Sequence, residues 1–259
     1  MDRAIVQAAL NDYMSVSLEE MDSVRLMNRV DTKYLFAVGR LPELLSGCSD
    51  CYKVLEIKNY RIFDYSTTYF DTPEYLFYYQ HVTGRLSRNK IRFRTYETTG
   101  EKFLEIKRKT NKNRTIKYRI ESPDAYLDPS SEKNSIFIGK HTGLKAGLLK
   151  PVVDNRFKRV TLVSGNMDER ITIDFNVSFS DQSGKVIEIP SVCVLEMKRS
   201  GYSSASGFSS VLKSRLIRPT GFSKYCIGAA QLYNMERKNT LKSKILAIDR
   251  LTRENENMN

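Results

Sequence analysis

The stretch Lys90-Ile91-Arg92-Phe93-Arg94-Thr95-Tyr96, followed by Phe103-Leu104-Glu105-Ile106-Lys107-Arg108-Lys109, decides the fold that we predict for this chain. Both segments alternate in the manner of β-strands. Because successive side chains of a strand point to opposite faces, Lys90, Arg92 and Arg94 share one face of the first strand. The apolar side chains between them lie on the other face.

The second strand repeats the pattern, with Glu105, Lys107 and Lys109 on one face and aliphatic residues on the other. A short connection that contains Gly100 joins the two strands, which fits a β-hairpin. The hairpin therefore has one charged face and one apolar face.

The same alternation recurs along the chain and predicts further strands over 29–36, 65–71, 114–121, 152–163, 170–175 and 192–198. In the strand over 152–163, we expect Asp154, Arg156 and Lys158 to share the charged face. Helical spacing or capping predicts helices in 4–28, with a break near 15–17, and over 41–51, 72–80, 208–216 and 226–253.

The charged strand faces are rich in Arg and Lys, and the apolar faces need helices to cover them. Both requirements are met by an α+β fold with a closed antiparallel β-barrel, whose lumen is lined with cations and whose outside is covered by helices. We expect a single domain overall. It comprises an N-terminal helical segment (1–28), the barrel (29–225) and a C-terminal helix packed on the barrel (226–259).

A cationic lumen is relieved of its self-repulsion when it holds a polyanion. Arg pairs with phosphate in a planar, bidentate manner, and Lys acts as a point charge. Double-stranded nucleic acid is too wide for such a passage, whereas a triphosphate or polyphosphate chain fits. The predicted strands therefore favour linked phosphates as the ligand.

Composition agrees with a polyanionic partner but does not choose among such partners. The 259-residue chain has 42 Lys and Arg against 30 Asp and Glu, a net charge of +12. The sequence lacks an apolar run of about 18 residues, so we expect a soluble, cytoplasmic protein. Cys48 and Cys51 have the spacing of only half of a zinc site, so we expect free cysteines. The two histidines, His81 and His141, lie in no motif, which argues against imidazole catalysis.

Four acidic residues share the charged faces with the cations, and each has two interpretations. A carboxylate in a cationic passage is either an ion-pair partner or a ligand for Mg²⁺ or Mn²⁺, which use one or two carboxylates together with phosphate oxygens. We favour the metal role for Glu196 and the ion-pair role for Glu105, Asp31 and Asp174.

Seven motifs occur in order along the chain: Arg29-Val30-Asp31-Thr32-Lys33-Tyr34, Tyr69-Phe70-Asp71-Thr72-Pro73, Lys90-Ile91-Arg92-Phe93-Arg94-Thr95-Tyr96, Leu104-Glu105-Ile106-Lys107, Arg170-Ile171-Thr172-Ile173-Asp174, Leu195-Glu196-Met197-Lys198 and Ser223-Lys224-Tyr225. Together they resemble the VTC domain, the catalytic domain of the vacuolar transporter chaperone polyphosphate polymerase. The similarity is greatest to its stand-alone bacterial members, within the CYTH-like triphosphate tunnel metalloenzymes.

This resemblance implies a tunnel that binds ATP and polyphosphate with Mn²⁺ or Mg²⁺ and transfers the γ-phosphate of ATP to the growing chain. It implies phosphate-binding catalytic residues at Lys33, Arg92, Arg94, Lys107, Lys117, Arg156, Arg170 and Lys224. Arg159 is the alternative to Arg156. Further substrate contacts are implied at Lys90, Lys198 and Ser223, and the metal ligand at Glu196.

One departure separates this chain from the hydrolytic relatives that it resembles. Those proteins begin with Glu-x-Glu-x-Lys, whereas the corresponding strand here is Arg29-x-Asp31-x-Lys33. Loss of the first carboxylate favours holding polyphosphate over efficient hydrolysis. A tripolyphosphate or nucleoside triphosphate hydrolase and a non-catalytic polyphosphate-binding module are the alternatives, and a separate membrane protein could be a partner at the inner membrane.

Nucleic acid is not expected as a partner. Single-stranded RNA sites interleave exposed aromatic rings with basic residues. Here we expect Phe93, Phe103 and Tyr118 to alternate away from the cations.

Overall fold

A computed structural model describes residues 1–23, 29–112, 114–122, 128–200 and 207–258. Its strands are β1 (Met14–Val16), β2 (Arg29–Ala37), β3 (Tyr52–Leu55), β4 (Phe63–Asp71), β5 (Arg88–Tyr96), β6 (Lys102–Lys109), β7 (Thr115–Glu121), β8 (Lys150–Ser164), β9 (Glu169–Ser180), β10 (Val186–Ile189) and β11 (Val192–Ser200). Its α-helices are α1 (Arg3–Ala9), α2 (Leu18–Ser23), α3 (Leu41–Ser46), α4 (Leu76–Val82), α5 (Glu132–Thr142), α6 (Gly207–Ser214), α7 (Lys224–Leu232) and α8 (Lys242–Glu256).

Eight strands form the main sheet in the order β2-β11-β9-β8-β4-β5-β6-β7, and all neighbours are antiparallel. The three other strands extend it, since β3 pairs with β8, β1 pairs in parallel with β3, and β10 pairs with β9. The predicted α+β class with a large antiparallel sheet is confirmed.

The prediction of a closed barrel is wrong, because the sheet is open between its two end strands. In the part of the chain that the structure describes, β2 and β7 do not pair. The outer edge of β2 instead meets the segment before α7. Tyr34 forms a bridge with Pro219, and the backbone N–H of Thr220 donates to the Lys33 carbonyl at 2.7 Å. That contact occupies the edge which closure would need.

Helices cover the apolar face of one half of the sheet. A buried cluster joins α1, α3 and α6 to β2, β8, β9 and β11, and includes Leu10, Leu45 and Phe208 with Ile171 and Leu195. These strand residues alternate with Thr172 and Glu196, so the helices lie opposite the charged face.

A second buried cluster covers the remaining strands. Ile138 of α5 lies in the same cluster as Leu104 and Ile106 of β6, and residues of α4, α7 and α8 join it. At Gly228 the helix α7 approaches the sheet closely. An added Cβ there would lie 2.7 Å from Phe179 Cδ1 and 2.9 Å from Val153 Cγ1.

The four helices predicted after residue 28 all have different bounds in the structure: those over 41–51 and 208–216 are α3 and α6, and the two others differ more. The predicted helix over 226–253 is divided into α7, a 3₁₀ turn (Lys238–Leu241) and α8, and Arg237 before the turn has a left-handed φ of 56°. The helix predicted over 72–80 is α4, which begins at Leu76. Asp71 accepts hydrogen bonds from the backbone of Phe77 and Tyr78 at 2.8 and 2.9 Å. Those bonds satisfy N–H groups that a helix start leaves without partners.

The N-terminal region forms α1 and α2 with β1 between them, which confirms the predicted break near 15–17. The end of that predicted helical segment, 24–28, lies outside the described residues. None of the described helices is long and apolar enough to cross a membrane.

Candidate functional site

A cavity of about 1020 Å³ lies against the charged face of the sheet. All eight strands of the main sheet contribute side chains to its wall, so the open sheet curves around it. One lining residue from each strand, in sheet order, is Lys33, Glu196, Asp174, Arg159, Tyr69, Arg92, Lys107 and Lys117. The sheet thus forms a channel-like site although its end strands do not pair.

Glu105 is the centre of the first ion-pair group in this wall. Arg92 donates to Glu105 Oε2 through Nε at 2.8 Å and through Nη2 at 2.6 Å, and the Lys117 ammonium contacts Oε1. Burial alone would raise the pKa of Glu105, but Arg92, Arg94 and Lys117 outweigh it and hold that pKa below its usual value. Glu105 is therefore ionised and fixes two cations in place.

Asp174 forms a second group of the same kind. Arg159 donates to both oxygens of Asp174, at 2.6 and 2.9 Å, and the Lys224 ammonium contacts Oδ2. Burial opposes ionisation, but Arg159 and Lys224 lower the pKa of Asp174 below its usual value. Burial also lowers the pKa of Lys224 to about 8, since the nearby Asp174 offsets only part of that effect.

Glu196 forms the third group, between Lys33 and Lys198. The Lys33 ammonium contacts Oε1, and Lys198 Nζ lies 3.2 Å from Oε2. Burial would raise the pKa of Glu196, but Lys198, Lys33 and Lys107 lower it well below its usual value. The carboxylate is thus ionised, and Glu196 lies in the cavity wall.

Among the other cations in the wall, Lys90, Arg94 and Lys107 form no ion pair with a carboxylate in the described ranges. Lys90 donates to Ser223 Oγ at 3.0 Å, and Arg94 Nε donates to Thr67 Oγ1 at 3.3 Å. The field of Arg92, followed by burial, holds the pKa of Lys107 well below its usual value. The wall therefore has an excess of positive charge that an anion would relieve.

Aromatic rings lie among these cations. The Tyr65 and Phe157 rings stack at 5.2 Å, and the guanidinium of Arg94 lies 5.5 and 5.8 Å from their centroids. Such contacts hold a guanidinium without neutralising it. The sequence pattern missed both rings. Phe103 pairs directly with Arg94, so it shares a face with the cations, and the expectation that Phe103 points away is wrong.

Arg156 is the one predicted site residue that does not line the cavity. It is exposed, whereas Arg159 lies in the cavity wall. The register between β8 and β9 shifts between Arg156 and Lys158, and such an irregularity changes which residues face the lumen. Simple alternation over 154–158 therefore placed Arg156 on the charged face, whereas the structure has Arg159 in the cavity wall.

All the other predicted site residues meet in the wall of this one cavity: Lys33, Lys90, Arg92, Arg94, Lys107, Lys117, Arg170, Glu196, Lys198, Ser223 and Lys224. Sequence reasoning missed Tyr65, Tyr69 and His81 in the same wall, and Phe157, which stacks on Tyr65. For Tyr65 and Tyr69 the alternation within 65–71 was an available signal, because the two side chains are four residues apart and share a face.

The amino end of α7 also opens on the cavity. Ser223 is the N-cap of this helix, since its hydroxyl accepts a hydrogen bond from the backbone of Cys226 at 3.3 Å, and Ser223 and Lys224 both line the wall. Helix amino ends favour anions through their unpaired N–H groups and the helix dipole. This end adds to the attraction for phosphate.

The donor set limits how a divalent metal could bind. Over residues 1–23, 29–112, 114–122, 128–200 and 207–258, no group of three or more His, Cys, Asp and Glu side chains is placed to hold a metal ion. Mg²⁺ and related cations often use one or two carboxylates and take their other ligands from phosphate and water. An ionised Glu196 in the cavity wall fits that kind of site, in which phosphate completes the coordination.

Comparison with known proteins agrees with this geometry. A family model described as the VTC domain matches residues 28–233. A sequence search against curated proteins finds no match.

Solved structures resemble the fold at low sequence identity. One is a proposed adenylyl cyclase from Hippeastrum with a dominant triphosphatase activity. Its comparison with this protein gives a TM-score of 0.52 and 13% sequence identity, and the match covers 81% of this chain and 99% of the Hippeastrum chain. A proposed adenylate cyclase from Bacillus halodurans has a TM-score of 0.50 and 15% identity, over 76% of this chain and 96% of its own. At these identities the likeness shows a shared fold.

Proposed function

Because the chain belongs to the VTC domain family, we propose that it is a metal-dependent polyphosphate polymerase that transfers the γ-phosphate of ATP to a polyphosphate chain. The observation that supports this most directly is the excess of cations in one cavity walled by eight strands. A phosphate chain presents negative charge along its whole length, so a wall with cations on seven of its eight strands fits it better than a site for one phosphate.

The proposed role of the wall is to hold donor and acceptor phosphates in line. Phosphoryl transfer depends mainly on positioning and on neutralising the charge of the transferring group. Lys90, Arg94 and Lys107, which have no carboxylate partner among the described residues, are the first candidates to bind phosphate oxygens. Glu105 and Asp174 keep their own cations oriented. In this proposal Arg159 takes the role first assigned to Arg156.

Glu196 is the proposed protein ligand for Mn²⁺ or Mg²⁺. When bound, such an ion would supply positive charge that offsets the charge on the phosphates and on the leaving ADP. Glu196 would then exchange its contacts with Lys33 and Lys198 for the metal, which leaves both lysines for phosphate. The wall needs no nucleophilic side chain for this reaction, since the acceptor phosphate itself attacks.

A second candidate function is hydrolysis of tripolyphosphate or a nucleoside triphosphate, with water in place of the acceptor phosphate. The triphosphatase activity of the Hippeastrum protein, which shares this fold, favours it. The third is binding of polyphosphate without turnover. A cytoplasmic location, a separate membrane partner and the division of the chain at residues 28 and 225 stay predictions.

One experiment separates the three functions. The purified chain is incubated with ATP and Mn²⁺, and the products are resolved by ³¹P NMR and on a polyacrylamide gel. The polymerase gives mid-chain phosphate signals and a ladder of long chains. Orthophosphate without chains would indicate a hydrolase, and unchanged ATP would indicate a binding module.

A further inference from the structure

A second cavity, of about 700 Å³, adjoins the first. The two share five lining residues, namely Asp31, Lys33, His81, Phe222 and Ser223. The second cavity continues past them to Thr220, Thr240 and Lys244. The two cavities therefore meet at these five residues, which we call the junction.

His81 lies at this junction, in the last turn of α4. Its Nδ1 atom is inaccessible to solvent and has no hydrogen-bond partner among the residues that the structure describes. A buried polar atom without a partner is uncommon in folded proteins, and each one needs an explanation. A ligand that supplies the missing partner is such an explanation here.

The charges around His81 come from four neighbouring elements. Arg88 and Lys90 belong to β5, Lys109 to β6 and Lys244 to α8, and all four are cationic. Asp31 and Lys33 of β2 line the same junction. The balance at the junction is therefore strongly positive, which suits an anion and disfavours a further positive charge on the imidazole.

We propose that the junction is an additional subsite for condensed phosphate and that the His81 imidazole donates a hydrogen bond to a phosphate oxygen there. This inference depends on the proposed function, because it gives a position to the part of the phosphate chain that extends beyond the first cavity. Lys244 and the hydroxyls of Thr220 and Thr240 extend the same polar wall.

Occupation of this subsite has a consequence for protons. In the ligand-free protein, burial and then Lys90, Arg88, Lys109 and Lys244 lower the pKa of His81 to about 3, so the imidazole is neutral. A phosphate chain neutralises the field of those cations and offers a negative acceptor. The imidazole then takes one proton from solvent and becomes a donor at both nitrogens.

The chain contains only two histidines, so NMR can assign the added proton to one imidazole. His141 is the matched control, because it stacks on Tyr118 with ring centroids 3.9 Å apart and lines neither cavity. Imidazole NMR signals are followed at about pH 6 while sodium tripolyphosphate or a polyphosphate longer than the first cavity is added. We expect the longer chain to convert His81 to the imidazolium form and to leave His141 unchanged.

Calorimetry in two buffers of different ionisation enthalpy measures the same proton. The wild type and His141→Gln should take up about one more proton per bound long chain than His81→Gln, which keeps an N–H donor but does not titrate. His81→Phe also loses the donor and should bind the long chain about tenfold more weakly, while tripolyphosphate affinity stays within twofold. Circular dichroism checks that both variants fold.

The outcomes distinguish this inference from the proposed function. If the wild type binds neither phosphate compound, both fail. If it binds both while the His81 signals stay those of a neutral ring, or while His81→Gln takes up as many protons as the wild type, only the subsite is excluded.

Discussion

Arg92 and Glu105 lie directly opposite each other on β5 and β6, and the guanidinium holds a single carboxylate oxygen through two nitrogens, at 2.8 and 2.6 Å. The Glu105 side chain has no solvent exposure, and that of Arg92 is 10% exposed. Lys117 contacts the other oxygen. A buried anion thus holds two of the cations that face the cavity.

The first prediction concerns Glu105→Gln. The substitution leaves Arg92 and Lys117 without their counter-ion, and breaking a buried pair costs about 3 kcal/mol or more. We expect the melting temperature to fall by about 6–12 °C. Tripolyphosphate should raise the melting temperature of the variant more than that of the wild type, because a bound anion replaces the lost charge. Differential scanning fluorimetry measures both effects.

Glu43→Gln is the control for this prediction. Glu43 pairs with Arg215, but both side chains are about half exposed, so the pair contributes little. Its melting temperature should stay close to that of the wild type. Equal losses in the two variants would contradict a special role for the buried group.

The second prediction compares two arginines. Arg94 faces the cavity and has no carboxylate partner in the described ranges, whereas Arg156 is exposed outside it. Charge-assisted hydrogen bonds contribute about 1.5–3 kcal/mol, so Arg94→Ala should weaken tripolyphosphate binding about 10- to 100-fold. Arg156→Ala should bind as the wild type does. Calorimetric titration of both variants, with circular dichroism as a check on folding, decides the matter. Equal affinities in the two would indicate that the cavity is not the binding site.

The sequence predicted the cavity wall well where strands alternate without interruption. In β5, Arg92 and Arg94 follow each other at a spacing of two, so one face is fixed once the segment is assigned as a strand. Antiparallel pairing then places Glu105 and Lys107 on the same face of β6. This is why a local pattern was sufficient to place most of the candidate site.

Prediction failed where a property of the whole sheet decides the outcome. The alternation of polar and apolar residues does not reveal the register shift near Arg156, because Arg156, Lys158 and Arg159 are all cationic. Closure failed for a related reason. Pro219 and Thr220, which occupy the edge of β2, are distant in sequence from Lys33 and carry no pattern of their own.

The third prediction concerns Glu196→Gln. The amide removes the negative charge that a metal ion needs and releases Lys33 and Lys198 from their ion pairs. We expect Mn²⁺-dependent turnover of ATP to fall to background, while tripolyphosphate binding without metal is kept or strengthened. Turnover is followed by ³¹P NMR and binding by calorimetry.

Glu188→Gln is the matched control, since Glu188 is exposed on β10. It should turn over ATP as the wild type does. Wild-type turnover in Glu196→Gln would remove this residue from the proposed metal site.

The fourth prediction is a pH dependence of binding. The pKa of Lys224 is lowered to about 8, first by burial and then by Arg159, with Asp174 opposing the shift. The Lys224 side chain is charged below about pH 8, and this positive charge is lost as the pH rises through that value. Affinity for tripolyphosphate should therefore fall between about pH 7 and 9.5, by up to about tenfold per pH unit. Lys224→Arg keeps its charge and should flatten the profile; an unaltered profile in this variant would assign the titration to another group.

The last prediction concerns the packing that places the amino end of α7 at the cavity. A Cβ at position 228 would lie 2.7 Å from Phe179 Cδ1 and 2.9 Å from Val153 Cγ1, closer than carbon atoms pack. Gly228→Ala must therefore displace the helix or these side chains, and overpacking of this kind costs about 1–3 kcal/mol. We expect a melting temperature lower by about 2–12 °C and weaker tripolyphosphate binding, because Ser223 and Lys224 move with the helix. Gly147→Ala is the control, since no atom lies within 4 Å of its added Cβ. A stable Gly228→Ala variant that binds tripolyphosphate normally would show that the site does not depend on the close approach of α7.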